Sequence, residues 1–193
     1  MPKELQLAGR MRGALRALVP AALKIAQSYG PDFEPLERDG LTARCHRDWP
    51  DSPEFISKWK SLLSRNTNST LFCSPTWQAA VVNEFVPAGQ FRLITVWRGE
   101  ELLAVLPLGL NTASMLETPG RWVTDYLDPL IDASATEECW AIILELLNSL
   151  WDWSVIGLQL QHVRGNSPLR DILKKLAPKF AFEYEERCVL MAP

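Results

Sequence analysis

Hydrophobic and polar positions along the chain predict alternating helices and strands from about residue 41 onward. Four segments repeat apolar side chains at helical spacing, whereas shorter runs are continuously apolar or alternate as strands do. The predicted helices cover residues 53–64, 75–85, 136–151 and 168–177. The predicted strands cover residues 41–47, 91–97, 101–110, 154–161 and 180–191, with one or two more between residues 111 and 132.

Turn and capping residues support these boundaries. Arg98-Gly99-Glu100 separates two strand-like runs, which is typical of a hairpin. Serine precedes proline at Ser74 and Ser167, and either Ser52 or Asp51 can cap the helix that begins at residue 53. Because the strands are too apolar to face water on both sides, the predicted fold class is α/β (α+β). We expect one mixed, mostly antiparallel sheet flanked by helices.

The first 30 residues show a different pattern. Basic side chains alternate with leucines at helical spacing, which predicts a basic amphipathic helix, kinked near Pro20 and ended by Gly30-Pro31. We therefore predict two parts, a helical arm and linker over residues 1–40 and a domain over residues 41–193. Docking of the arm on the domain or on a partner is the favoured use. Peripheral membrane contact through residues 3–25 is a less favoured alternative.

Composition excludes several classes of function. The chain has 193 residues, 47% hydrophobic and 22% charged, which is ordinary for a globular protein. A net charge of −3 gives no general attraction to nucleic acid, so no nucleic-acid partner is expected. No apolar run approaches the length of a membrane span. A cytoplasmic location is predicted, with a position at the inner face of the membrane as the alternative.

Cysteine and histidine spacing argues against disulfides and metals. The four cysteines, Cys45, Cys73, Cys139 and Cys188, are far apart and form no C-x-x-C pair. We expect buried, reduced thiols, in particular at Cys73, Cys139 and Cys188. The two histidines, His46 and His162, have no ligand spacing with the cysteines, so no metal site is predicted.

Two short segments carry candidate chemistry. Asp125, Tyr126 and Asp128 interrupt an apolar stretch and could form an acid/base set, or bind a cationic or hydroxyl-rich molecule. Alternatively, the two aspartates bond loop backbone and the tyrosine packs. Arg164, Gly165 and Ser167 precede a predicted helix and could hold an anion; the alternative is a turn in which Ser167 is the cap.

The order of elements and several sequence segments resemble a known superfamily. From residue 41 the order is β-α-α-β-β-β-α-β-α-β, and the segments LFCSPTWQAAVVNEF, LLAVLPLGL and VTDYLDPLID follow one another. Residues 41–191 resemble the GNAT acyltransferase superfamily. Within it they are most similar to the FemAB-like branch, including acetyltransferase-like proteins linked to bacterial cellulose and exopolysaccharide synthesis.

The resemblance implies only part of an enzyme. Members of this branch usually have two GNAT-like halves in tandem, with the acyl-donor site generally in the second, and this chain resembles the first. The loop that holds the coenzyme A pyrophosphate in the superfamily corresponds to residues 130–138, which contain no glycine and no basic residue. Its carboxylates, Asp132, Glu137 and Glu138, would repel a pyrophosphate. No cofactor is therefore expected on this chain alone; acetyl-coenzyme A or another acyl donor would come through a partner half.

Three hypotheses about function remain open. The favoured one is a GNAT-like domain that binds an acceptor or a partner in an N-acyl or acetyl transfer connected with cell-envelope or exopolysaccharide synthesis. The second is a minimal homodimeric N-acetyltransferase. The third is a non-enzymatic module that docks through its N-terminal helix. Whether the chain is an enzyme is left open, but an enzymatic activity would be that of an N-acyltransferase.

Overall fold

A computed structural model describes residues 3–9, 33–67, 69–150, 155–180 and 182–188. Its strands are β1 Lys3–Gly9, β2 Leu36–Arg38, β3 Leu41–His46, β4 Phe91–Arg98, β5 Glu101–Leu110, β6 Met115–Glu117, β7 Leu130–Ile131, β8 Gly157–Val163 and β9 Phe182–Cys188. Its helices are α1 Pro53–Arg65, α2 Pro75–Phe85, α3 Thr136–Leu150 and α4 Leu169–Leu176. Short 3-10 turns cover Leu71–Cys73, Ala133–Ala135 and Ala177–Phe180.

The nine described strands form a single sheet. Their order is β2-β3-β4-β5-β6-β8-β1-β9, and β7 pairs with β5. All neighbours run antiparallel except β6 and β8, which are parallel. This arrangement confirms the predicted α+β class, with a mostly antiparallel sheet flanked by helices.

Each face of the sheet has its own hydrophobic core because side chains alternate along the strands. On β4, Ile94 and Val96 belong to the larger core, which also contains the buried faces of α3 and α4. Phe91 and Leu93 belong to the smaller core around Trp59 of α1. Trp59 is almost fully buried, and its indole N–H donates to the carbonyl of Cys73 at 2.9 Å. Helix α1 and the turn that follows it are thereby fixed against the sheet.

The predicted starts of α1, α2 and α3 agree with the structure, and α4 begins at Leu169, one residue later than predicted. The Ser52 hydroxyl accepts from the Phe55 amide at 3.0 Å, and the Ser74 hydroxyl accepts from the Trp77 amide at 3.3 Å. These bonds satisfy donors that the first turn of a helix leaves unpaired. Helix α2 and strand β5 have the predicted bounds, and α1 and α3 differ from prediction by one residue at their ends.

The prediction of an N-terminal helix is wrong for residues 3–9. They form β1, which pairs antiparallel with both β8 and β9. The segment KELQLAG also alternates leucine with polar residues, and the open edges of two neighbouring strands offer it backbone partners along its whole length. The rest of the predicted helix, from residue 10 to 30, lies outside the described residues. The division of the chain at residue 40 stays a prediction.

Residues 118–129 form a loop, called the 118–129 segment below. This loop fills a gap in the sheet between β6 and β7. Strand β5 pairs with β6 near its end and with β7 near its middle, and the chain leaves the sheet between these two contacts. The segment then runs along the end of β8. Thr124 accepts from the His162 ring at 3.0 Å through its carbonyl, and the Leu127 amide donates to the His162 carbonyl at 3.4 Å. These contacts bring both predicted polar segments to one place.

Candidate functional site

The two predicted polar segments meet in an ion pair between Asp128 and Arg164. Arg164 Nε donates to Asp128 Oδ2 at 2.8 Å, and the Arg164 backbone amide donates to the same oxygen at 3.3 Å. The side chains are 11% exposed for Asp128 and 27% for Arg164. The guanidinium carbon of Arg164 also lies 5.9 Å from the centroid of the Tyr126 ring. Residues 36 apart in sequence therefore form one cluster.

The other predicted site residues lie around this pair without completing it. Asp125 is exposed, and the Tyr126 ring is 44% exposed. Gly165 lies in the exposed turn after β8. The Ser167 hydroxyl accepts from the Leu169 amide at 3.4 Å, next to the start of α4. Within the described residues, only Asp128 of the three predicted acid/base residues makes an ion pair with the predicted anion site.

Asp128 has one carboxylate oxygen without a partner. Oδ1 is buried, and no described residue forms a hydrogen bond with it. Such groups are uncommon in folded proteins, because leaving a buried acceptor unpaired costs about 1–3 kcal/mol, more for a charged group. An unpaired oxygen beside a cavity is therefore evidence for a group that the protein itself does not supply.

A cavity of about 110 Å³ adjoins the ion pair. It lies where the end of α1, the Leu71–Cys73 turn, β7 and the starts of α3 and α4 come together. It is lined by Asn66, Ser69, Cys73, Asp128, Pro129, Leu130, Ile131, Ala133, Thr136, Trp140, Arg164, Asn166, Ser167, Pro168 and Leu169. Most of the polar lining residues were not predicted, because they come from five separate parts of the chain.

The loop before α3 differs from the surroundings of Asp128, because each of its carboxylates forms an ion pair with a basic side chain. Asp132 forms an ion pair with Arg65 at 2.8 Å. Glu137 pairs with Lys175 at 2.7 Å, and Glu138 pairs with Arg98 at 2.6 Å. The hydrogen bond from Arg65, with a further one from Ser134, lowers the pKa of Asp132. Similarly, the hydrogen bond from Lys175 lowers the pKa of Glu137. The predicted repulsion of a pyrophosphate is therefore weaker than the sequence implies.

Backbone amides in the same loop are already engaged. The Ser134 amide donates to Asp132 Oδ1 at 3.0 Å, and the Ala135 amide donates to the Asp132 carbonyl at 3.1 Å. Asp132 thus occupies donors that a phosphate would need. Competition by this aspartate, more than charge repulsion, argues against a phosphate site before α3.

A second, open groove is lined in part by residues 118–122 of the 118–129 segment. Its volume is about 480 Å³, and its walls include Phe85, Glu117 and Trp122. Trp122 is 80% exposed, and the Arg121 guanidinium lies 4.4 Å from its ring centroid. The sequence did not predict this groove, because nothing in the residues around Trp122 distinguishes it from the other seven tryptophans as an exposed one.

The thiols are positioned as expected where they are described. Cys45, Cys73 and Cys139 are buried and free of disulfides, whereas the side chain of Cys188 lies outside the described part of the chain. Burial raises the pKa of Cys139 to about 12. Among the described residues, no group of three histidine, cysteine or acidic side chains could hold a metal ion. No described helix has both the length and the apolar character needed to cross a membrane.

Comparison with known proteins identifies no family for this chain. No protein-family model matches the sequence, and no curated protein matches it significantly. The resemblance to the GNAT superfamily stays a prediction, and arguments about function rest on the geometry of the site.

Proposed function

We propose that this domain binds a small acceptor molecule through Asp128 and presents it for N-acyl transfer from a donor bound elsewhere. One observation carries the proposal: Asp128 Oδ1 is buried, has no hydrogen-bond partner among the described residues, and belongs to a side chain that lines a cavity. An N–H or O–H group of an acceptor would supply the missing donor.

Arg164 gives the carboxylate a fixed position. It engages Oδ2 through its side chain and its backbone amide, so the second oxygen is the one left for a ligand. Oδ1 belongs to a residue that lines the cavity, so it can accept from a ligand group there while Oδ2 stays bonded to Arg164. A carboxylate held in this way can orient an amine and accept its proton as the nitrogen attacks an acyl group.

The donor is proposed to come from another polypeptide. The loop before α3 has its amides bonded to Asp132 and its carboxylates paired with cations, which leaves little to hold a pyrophosphate. A second GNAT-like half is the partner that fits the resemblance, with cell-envelope or exopolysaccharide synthesis as the setting. A homodimeric acetyltransferase is the alternative, distinguished by whether the chain binds acetyl-coenzyme A.

Calorimetric titration tests both parts of the proposal. Ethylamine and 2-aminoethanol should bind the wild-type chain at millimolar concentration, and acetyl-coenzyme A should not bind at micromolar concentration. Asp128→Asn should weaken amine binding at least tenfold. The matched control is Asp125→Asn, which removes an exposed carboxylate from the same segment and should bind amines like wild type.

Two results would overturn the proposal. Micromolar binding of acetyl-coenzyme A would make a self-sufficient, homodimeric enzyme the better account. Equal amine binding by wild type and Asp128→Asn, or none by either, would remove Asp128 from any acceptor site. The non-enzymatic module that docks through the predicted N-terminal helix would then be the remaining hypothesis.

A further inference from the structure

Gln78 of α2, like Asp128, has a buried oxygen without a partner. The residue is 7% exposed, and no described residue forms a hydrogen bond with its Oε1. Resting on the proposed function, we infer that the acceptor is a primary amine, bound as its ammonium ion by Asp128 Oδ1 and Gln78 Oε1 together. Gln78 is thereby a residue that determines specificity for the acceptor.

The two oxygens belong to residues that line the same small cavity. Its volume is about 20 Å³. The residues Cys73, Asp128, Pro129 and Leu130 line both this cavity and the one of about 110 Å³, so the two spaces are adjacent at Asp128. Because one water-sized group requires roughly 10–15 Å³, the smaller cavity accommodates a single such group. We place the ammonium group of the ligand there and its alkyl part in the larger cavity.

The orientation of the Gln78 amide follows from its other end. Nε2 donates to the Phe72 carbonyl at 2.7 Å. A flipped amide would bring two oxygens together, so the oxygen is the atom that faces away from Phe72. An amide oxygen accepts hydrogen bonds and cannot donate them. The missing hydrogen therefore has to come from a ligand.

The wall of the small cavity does not satisfy these two oxygens. The Trp59 indole N–H, which also lies at this cavity, already donates to the Cys73 carbonyl. Hydroxyl groups of the wall come from Thr118 and Tyr126, and neither bonds to Asp128 Oδ1 or Gln78 Oε1. Two buried acceptors at one cavity indicate a guest with at least two donors.

The number of donors distinguishes an amine from an alcohol. An ammonium group has three N–H donors and can reach both oxygens. A hydroxyl group has one and would leave one buried acceptor unpaired. The positive charge also suits the Asp128 carboxylate, but Arg164 offsets part of that attraction. We therefore expect the number of donors to contribute more to selectivity than the charge does.

Three isomeric amines test the number of donors at constant charge. Propylamine, N-methylethylamine and trimethylamine have the same composition and are all cations at neutral pH, with three, two and one N–H donors. Calorimetry on the wild-type chain should give propylamine at least tenfold tighter binding than trimethylamine, with N-methylethylamine between them. Propanol, which has one donor and no charge, should also bind at least tenfold more weakly than propylamine.

Variants assign the preference to Gln78. Gln78→Met removes the acceptor at similar size, so it should weaken propylamine binding about tenfold and leave trimethylamine binding nearly unchanged. Asp128→Asn should weaken the binding of all three amines. The control Gln90→Met makes the same substitution at a glutamine that lines the open groove, and it should keep the wild-type preference.

The outcomes separate this inference from the proposed function. If wild-type protein binds propylamine and trimethylamine equally and Asp128→Asn weakens both, the role of Gln78 is overturned and the acceptor site remains. Binding of none of the amines would overturn both. The comparison of ligands uses the wild-type chain alone, so it decides the matter even where Gln78→Met does not fold.

A crystal structure with propylamine gives the direct check. The ammonium nitrogen should lie within about 3.2 Å of both Asp128 Oδ1 and Gln78 Oε1. An ordered water on Gln78 Oε1, with the amine bonded to Asp128 alone, would show that water satisfies the glutamine and would overturn the inference.

Discussion

Two acidic regions lie close together on this protein, and they differ in how their carboxylates are paired. In the loop before α3, Asp132, Glu137 and Glu138 each pair with a cation. At the gap in the sheet, Asp128 pairs with Arg164 through one oxygen only. In sequence the first region has more charge, and it stands where the resemblance places the pyrophosphate loop without having that loop's glycine or basic residue. In the fold the two regions border the same cavity, but only Asp128 of these four carboxylates has a buried oxygen without a hydrogen-bond partner among the described residues, which is why we place the ligand there.

The largest effect on stability is expected at the ion pair between Asp128 and Arg164. Asp128→Leu should lower the free energy of unfolding by about 3 kcal/mol, because it leaves the Arg164 charge partly buried without its carboxylate. The double variant Asp128→Leu with Arg164→Met should recover most of that loss. Urea unfolding measures both, and a double variant no more stable than the single one would show that the pair is not the cause.

An intermediate effect on stability is expected when Asp132 is substituted, and this effect should depend on pH. Its pKa is held below the ordinary value of 3.8 mainly by Arg65, and its side chain is 14% exposed. The stabilisation is therefore fully present above pH 4–5 and is lost as pH falls through the lowered pKa. Asp132→Asn should cost about 1–2 kcal/mol at pH 7 and much less near pH 2. The exposed control Asp125→Asn should have little effect on stability at pH 7, since surface substitutions usually do.

The smallest effect is expected at the exposed pairs of α3. Glu137→Gln together with Glu138→Gln should leave the free energy of unfolding close to the wild-type value, because surface ion pairs contribute little. The same double variant should not acquire acetyl-coenzyme A binding, since Asp132 still occupies the loop amides. Binding that appears only in the double variant would mean that charge repulsion alone had blocked a donor site.

Much of the fold follows from local sequence signals. The Ser-Pro starts of helices, the hairpin at Gly99 and the apolar periodicity of α1 and α3 act over a few residues, so they can be read along the chain. Gly99 has a φ of +56°, a conformation that favours glycine, at the position where the hairpin was predicted. These elements could therefore be predicted from short stretches of sequence.

Residues of the site could be predicted from the sequence, but the contact between them could not. Asp128 and Arg164 were identified separately, but nothing in their segments indicates that they bind each other, because the contact depends on how the sheet closes. The pairing of Arg65 with Asp132, 67 residues away, was invisible for the same reason, and it changed the interpretation of the α3 loop. The missed strand β1 shows a related limit, since leucines spaced for a helix also alternate over short stretches.

Strand β1 has a consequence for how the chain assembles. It lies between β8 and β9, so residues 3–9 pair with two strands that are far from them along the chain. Until those strands exist, residues 3–9 have no sheet partners, and the contacts that complete the sheet are those of greatest sequence separation. Such contacts carry a large loop-closure cost and slow folding. We therefore expect β1 to take its place in the sheet only after both β8 and β9 have been synthesised.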